Sequence, residues 1–456
     1  MEHKWLWRER GVPVSEIWAK LKAAAAKNIS YEQNPVLGFP GTTPLRDALD
    51  VHRWFAGGQP NNIGYHTTGT PAEFGFPGTQ ELEREFIYYL AGLVGAADPE
   101  KDVDGYICMG GTEGNDHGLW LGRNRLRGKG HAGKRGIVVL ASFLSHYSIY
   151  KHFGRLFSNE LSDGRDVDVL QELPVNSRGE VDAGIVDRAV REFHSNGYRG
   201  FLLVLTAGTT NMGSVDRVEE ICDAVAVLKR TLGIRAHIHV DAAYGGFVLP
   251  FLEPDLKFGF HNQLVDSVVV DAHKMGYAPY SAGVFLCRKG LLAHTTTPAV
   301  YLGGHFDSTV CGSRSGAIAA ACWTLTQVMG REEYEAKLRE CMANLEYLRE
   351  RLRELNRNGE ERVRFYPARM NIQAAWVDEE IKLALDAPGS DGRSLRAKFC
   401  IPEDMLPADL TNLAWDGRVV VRDAPVVRFM AMPHLSKSKI DEFMDELMAR
   451  VAQFVH

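Results

Sequence analysis

Six short apolar runs, at 106–109, 137–141, 201–205, 236–240, 267–270 and 283–287, constrain the fold more than any other feature of the chain. Each is too short for a buried helix and has the composition of a strand covered on both faces. Longer amphipathic stretches lie between the earlier ones, notably 181–193 and 217–232. Upstream, Thr79 is placed to cap a helix whose apolar side carries Leu82, Phe86, Tyr89, Leu90 and Leu93. Strand, helix and strand repeated in this way predict an α/β fold, with a mostly parallel sheet and helices on both faces. Sheets of that kind hold ligands at the carboxyl ends of their strands.

After Arg314 the pattern changes. Helices are expected over 315–329 and 331–355, strands at 363–366, 372–377 and 426–430, and a last helix after Ser436. The expected division is a helical amino-terminal arm over 1–60, a large domain over 61–325 and a small α+β carboxyl-terminal domain over 326–456. The arm, with aromatic residues and no strand pattern, suits a layer packed on a partner subunit.

The net charge of −6 gives no basic face for nucleic acid or anionic lipid. Seven cysteines, odd in number and without CxxC spacing, argue against a disulfide framework or a zinc site and for a reducing compartment. No metal is expected. The first ten residues carry charges where a signal peptide needs an apolar core, and no apolar run approaches the roughly 18 residues of a membrane span. A cytoplasmic protein is expected.

Every chemically suggestive motif falls at the end of a strand. Lys274 follows the run 267–270 and stands in Asp-Ala-His273-Lys274-Met-Gly-Tyr. Desolvation there predicts a depressed pKa, which would make the amine a nucleophile able to form a Schiff base. A His-Lys pair by itself is ordinary. Upstream, however, His239-Val-Asp241-Ala-Ala243 ends another strand, and an acid and a lysine on two strand ends suit pyridoxal phosphate. A buried Asp241 needs a cationic partner such as a protonated ring nitrogen. Ala243 is small enough to let a ring sit against the backbone. Gly110-Gly111-Thr112-Glu113-Gly114-Asn115 opens a helix where free N–H groups suit a phosphate, although alone it is only a turn. His146, in Ser-His-Tyr-Ser, is placed either to lie over a flat cofactor or to cap a helix. Gly208-Thr209-Thr210 offers a hydroxyl to the ring oxygen or is merely a turn.

The ordered set GGTEGN (110–115), SHYS (145–148), GTT (208–210), HVDAAYGG (239–246), DAHKMGYAPYSAG (271–283) and GSRSG (312–316) resembles the group II pyridoxal-phosphate-dependent amino acid decarboxylases. Individual segments resemble bacterial histidine, tyrosine and acidic amino acid decarboxylases. The likeness covers roughly residues 60–330. It implies the aspartate-aminotransferase-like fold, fold type I, and a homodimer with composite sites. By resemblance, Lys274 carries the cofactor, Asp241 meets the pyridinium nitrogen and His146 stacks on the ring. Gly111, Thr112 and His273 would hold the phosphate, Thr209 the ring oxygen and Ala243 the lower ring face. Ser313 would reach the phosphate of the neighbouring subunit, unless it and Arg314 are a helix cap with a solvated arginine.

The reaction so implied is loss of the α-carboxylate as carbon dioxide from an L-amino acid, the carboxylate being turned into an apolar part of the pocket. Tyr301, on a loop after the lysine, is the candidate proton donor to Cα. A carbon–carbon lyase of the sphingosine-phosphate-lyase type and a non-catalytic pyridoxal phosphate-binding regulator are the alternatives. An aminotransferase suits this motif order less well. Residues 61–70, with Phe74 and Phe76, suit either a substrate pocket or a dimer interface, and leave aromatic and acidic substrates both open.

Overall fold

The seven strands of the central sheet are β1 Val103–Cys108, β2 Ile137–Ser142, β3 Val169–Leu173, β4 Gly200–Thr206, β5 Arg235–Asp241, β6 Val265–Asp271 and β7 Gly283–Arg288. The computed structural model describes residues 10–68, 75–128, 136–157, 167–299, 305–356 and 359–454. The strands lie in the order β3-β2-β4-β5-β6-β7-β1. Neighbours from β3 to β6 pair in parallel, and only β7 runs against the rest, between β6 and β1. All residues of β1, β2, β4 and β6 are buried; β2 and β4 read as near-continuous apolar runs, whereas β1 also buries Asp104 and β6 buries Asp266, Ser267 and Asp271.

Helices α1 Val14–Ala25, α2 Arg46–Ala56, α3 Pro77–Leu93, α4 Gly111–Arg127, α5 Tyr147–Leu156, α6 Ala183–Ser195 and α7 Val218–Leu232 precede or accompany this sheet. Helices α8 Gly316–Val328, α9 Arg331–Arg353 and α10 Lys437–Val451 follow it. Sheet and flanking helices share one large apolar core. This is the expected α/β architecture, with two corrections. Strand β3 is not apparent from periodicity because its sequence, VLQEL, carries Gln171 and Glu172. Glu172 is nevertheless buried, since Tyr150 Oη (2.5 Å), Arg422 Nη2 (2.8 Å) and the N–H of Val420 (2.7 Å) all donate to it. Nor does Thr79 cap α3. That helix starts on Pro77, a residue suited to a first turn, and the Thr79 hydroxyl donates to Asn62 Oδ1 at 2.8 Å. Its buried stripe includes Glu83, Phe86, Ile87 and Leu90, and Tyr89 faces out.

Beyond α9 a four-stranded antiparallel sheet, β8 Val363–Phe365, β9 Ile372–Val377, β10 Glu403–Leu406 and β11 Ala424–Met430, lies in the order β8-β9-β11-β10. It packs with α9 and α10 around a second apolar cluster. Ser436 caps α10 by accepting the N–H of Lys439 at 3.4 Å. The amino-terminal segment is stitched to this layer. Leu37 donates to Phe399 O (2.9 Å) and accepts from the N–H of Met430 (2.5 Å), which sets Phe39 at the mouth of the central cavity. The seven cysteines are free. Among the described residues, no helix is long and apolar enough to cross a membrane.

Candidate active site at the strand ends

A cavity of about 810 Å³ opens at the carboxyl ends of β1, β4, β5 and β6. Gly111, Thr112, His146, Asp241, Ala243, His273 and Lys274 all line it. The structure therefore brings together seven of the residues singled out from sequence, drawn from segments that span more than 160 positions.

Local backbone geometry explains the glycines. Between β1 and α4 the chain turns through Gly110 at φ +156°, a region open almost only to glycine. A Cβ on Gly111 would lie 2.9 Å from Ala243 Cβ and 2.9 Å from Asp271 Oδ2. Three strand ends thus meet at one glycine, with the amino terminus of α4 aimed at the cavity. After Lys274 the chain turns through Tyr277 at φ +61°, an unusual conformation for a large side chain.

Asp241 ends β5 buried. Its Oδ1 accepts the N–H of Ala243 at 3.1 Å, and its Oδ2 accepts from Asn115 Nδ2 at 2.8 Å. Asn115 also donates to Ser148 Oγ (3.1 Å), which bonds His146 Nδ1 (2.9 Å). Burial lowers the pKa of His146, with the Lys274 ammonium adding to the effect. His273 Nδ1 accepts the N–H of Ala282 (3.0 Å), so in the neutral ring Nε2 carries the proton. Burial keeps that ring neutral as well.

Lys274 departs from expectation. Its Nζ lies 3.0 Å from Asp271 Oδ2. Burial pushes the ammonium pKa down, but the carboxylates of Asp271 and Asp241 outweigh it, and the pKa is raised above the usual lysine value. The expectation of a depressed pKa is therefore corrected. It omitted the acid three residues upstream and the acid across the sheet.

Thr209 is the second correction. Its hydroxyl pairs with Ser214 Oγ at 2.8 Å inside the turn, and Gly208 and Thr210 line the cavity instead. Residues 61–70 and Phe76 suit a pocket or a dimer interface, and the cavity bears on the first alternative alone. None of these residues lines the cavity among the described ones. Asn62 holds Thr79 and Glu83, and Tyr65 packs on Tyr106, Leu121 and Phe285. Arg314 is not solvated but buried against Glu83. Ser313, exposed, accepts from Asn61 Nδ2 at 3.1 Å and does not line this cavity. Tyr301 and Phe74 lie outside the described residues.

Sequence reasoning missed Asp271, Asn115 and Phe39. The first two stood inside quoted motifs, at the end of β6 and in the first turns of α4. Phe39 had no local signal, because only the link to the carboxyl-terminal sheet brings it here.

The site fits pyridoxal phosphate on its own chemistry. It offers a lysine, an ionisable acid across from it, a small residue beneath, and a glycine-lined helix start. Two of its polar atoms, Asp271 Oδ1 and Thr206 Oγ1, are buried with no hydrogen-bond partner among the described residues, as befits a wall that meets a polar ligand.

The pyridoxal-dependent decarboxylase conserved domain matches residues 73–363. A tryptophan decarboxylase of Clostridium sporogenes is 31% identical over 382 residues, covering 80% of this chain and 86% of its own. A probable L-tyrosine/L-aspartate decarboxylase of Methanocella arvoryzae is 31% identical over 441 residues, 96% of this chain and 99% of its own. Among solved structures, a Burkholderia pseudomallei sphingosine-1-phosphate lyase superposes with TM-score 0.73 at 18% identity, over 98% of this chain and 92% of that one. That last likeness shows the fold alone.

Proposed function

The chain belongs to the pyridoxal-dependent decarboxylase family, and on that premise we propose that its substrate is an aromatic L-amino acid. It is an enzyme that removes carbon dioxide from an amino acid with pyridoxal phosphate as cofactor. The carbon–carbon lyase alternative shares the fold, but the matching family model and the relatives in sequence are decarboxylases.

Bound pyridoxal phosphate supplies an electron sink for the pair freed as the α-carboxylate leaves. In our reading Lys274 holds the cofactor covalently, and Gly111, Thr112 and His273 hold its phosphate. Asp241 keeps a proton on the ring nitrogen. His146 and Ala243, both on the cavity wall, would flank the ring of the bound cofactor. Tyr301 returns the proton to Cα, and together with Ser313 it serves the site of a second copy of the chain. The exposure of Ser313 supports that sharing, as does α1, whose Val14, Ile17, Trp18 and Leu21 form an apolar stripe with no buried member.

The observation that carries the substrate reading is the cavity's rim. Phe39, Met109, Tyr147 and Tyr280 line it while 47%, 57%, 63% and 56% exposed, an apolar and largely aromatic surface awaiting a partner. Glu113 and Asp116 also line the cavity, whereas Lys274 is its only lysine and no arginine lines it among the described residues. An acidic side chain would find no arginine to pair with among the described lining residues.

Carbon dioxide release from a panel of L-amino acids tests this. Tryptophan, tyrosine or phenylalanine should lead by at least tenfold in kcat/KM, and Lys274→Ala should abolish release. Preference for aspartate or glutamate would overturn the substrate reading. Full activity in a species sized as a monomer would overturn the shared site.

A further inference from the structure

Helix α4 carries three glycines at four-residue spacing, Gly114, Gly118 and Gly122. Each costs a helix interior about 1 kcal/mol relative to alanine, so three together call for a reason. A Cβ on Gly114 would lie 2.2 Å from Val269, one on Gly118 2.4 Å from the His239 ring, and one on Gly122 2.8 Å from the His237 ring. The glycines let α4 press onto β5 and β6, and this brings Asn115 within reach of strand side chains.

Asn115 then joins two limbs of one buried network. On the sheet side, Asn115 Oδ1 faces His239 Nε2 at 2.9 Å, and His239 Nδ1 faces Ser267 Oγ at 2.8 Å. Ser267 Oγ faces His237 Nε2 at 3.2 Å, and Arg125 Nη1 reaches His237 Nδ1 at 3.4 Å. On the cavity side, Asn115 Nδ2 reaches Asp241 and Ser148, and Ser148 reaches His146. Asn115, Ser148, His237, His239 and Ser267 are all buried.

The two ends dictate every proton position between them. Arg125 can only donate, and Asp241 Oδ2 accepts from Asn115. His237 therefore accepts at Nδ1 and donates from Nε2 to Ser267. Ser267 donates to His239 Nδ1, and His239 donates from Nε2 to the Asn115 oxygen. Both amide hydrogens of Asn115 are left for Asp241 and Ser148. The Ser148 N–H also reaches His146 Nδ1, at 3.4 Å, so that nitrogen accepts, and with Ser148 Oγ accepting from Asn115 its hydroxyl hydrogen goes to His146 Nδ1. His146 then presents Nε2–H. Burial holds His239 neutral, its pKa pushed down to about 3, so the sequence of donors does not reverse in the neutral range.

We propose that Asn115 is a positioning residue for the decarboxylation site: one amide orients the Asp241 carboxylate and sets the tautomer of His146. This rests on the reading that Asp241 and His146 face the cofactor. A single side chain thereby ties the group holding the ring nitrogen's proton to the group lying on the ring. Helix α4, which starts at the phosphate end, is locked to the same strand.

The test uses purified holoenzyme and two limb-specific variants. Ser148→Ala cuts only the His146 limb. It should turn the nitrogen-15 ring signature of His146 from one tautomer to a mixture while leaving the cofactor dissociation constant within about threefold. Asn115→Ala cuts both limbs. It should disturb the tautomer and also weaken cofactor retention by roughly tenfold or more, the scale of losing a hydrogen bond to a charged group. It should further shift the pH profile of the bound cofactor's visible absorbance. His239→Gln, whose amide reproduces both bonds, should stay near wild type, and His239→Leu should resemble Asn115→Ala. The Leu variant carries the test if Asn115→Ala does not fold. Unchanged retention, absorbance profile and His146 tautomer in Asn115→Ala, or in His239→Leu in its place, would overturn the proposal. Asp241→Asn separates the two readings. If it leaves retention and absorbance intact, the assignment of Asp241 has failed rather than that of Asn115.

Discussion

Two of the buried carboxylates that meet a cation in this molecule differ in their surroundings. Glu83 and Arg314, on α3 and before α8, are 2% and 5% exposed and surrounded by partners. Glu83 also accepts from the N–H of Ile107 and from Asn62 Nδ2, both at 2.8 Å, and Arg314 donates to the carbonyls of Ile107 (2.8 Å) and Gly64. Burial acts to raise the Glu83 pKa, but Arg314 overcomes it and holds the carboxyl below its usual range. Asp271 and Lys274 sit on the cavity wall instead. Lys274 is 20% exposed at the side chain, and Asp271 Oδ1 has no partner among the described residues. The first pair joins the short strands Asn61–Ile63 and Ser313–Ser315 to β1 and α3, where water cannot replace a lost partner. The second is left incomplete toward a space meant to be filled. The same acid–base chemistry is scaffold in one place and reactive in the other, and position on the cavity wall tells them apart.

The largest effect should come from breaking the fully buried pair. Arg314→Met strands Glu83 as a buried unpaired charge and should cost about 3–5 kcal/mol in denaturant unfolding. Adding Glu83→Gln should recover part of that loss. A single variant within about 1 kcal/mol of wild type would mean that the pair is not the clamp described.

A smaller effect lies beside it in His66, whose Nε2 is 3.5 Å from Glu83. Burial lowers its pKa to about 4, against the pull of Glu83. A depressed histidine favours the neutral folded form, so its contribution is present above pH 6.5 and is lost as pH falls toward 4. At pH 5 the loss should reach about 2 kcal/mol, and His66→Gln should flatten that part of the stability profile. An identical slope in the variant would assign the acid sensitivity elsewhere.

The smallest change in stability is expected on the cavity side. Asp271→Asn should shift unfolding less than Arg314→Met does, because Lys274 faces the cavity and can shed its proton once the acid is gone. It should instead speed loading. A raised Lys274 pKa leaves little free amine at neutral pH, and removing the acid lowers that pKa. The free amine rises roughly tenfold per unit. Recovery of visible absorbance after cofactor addition to stripped protein should therefore be faster near pH 7. Slower loading would show that Asp271 is needed to place the lysine rather than to hold its proton.

Much of the fold was legible because a sheet covered on both faces leaves near-continuous apolar runs. Strand β3 escaped because Glu172 is buried through partners 22 and 248–250 residues away. The site was legible where a motif carries its own geometry, as at Gly110 and Gly111 and at Lys274. It was not legible where a side chain's direction depends on the turn it stands in. Thr209 and Thr210 differ only in that respect, and Ser214 draws the first inward.

What the sequence by itself determined is the kind of chemistry: strand ends carrying a lysine, an acid and a glycine-opened helix, in an order shared with a family of decarboxylases. Those properties are local, set by residue type and by the short-range periodicities of strand and helix. Tertiary structure alone decided the protonation and the partners. It added Asp241, from another strand, to the local pull of Asp271 on the Lys274 pKa, buried Arg314 on Glu83 from 231 positions away, and brought Phe39 to the cavity. Electrostatic energy and desolvation depend on distances through space, and no pattern along the chain records them.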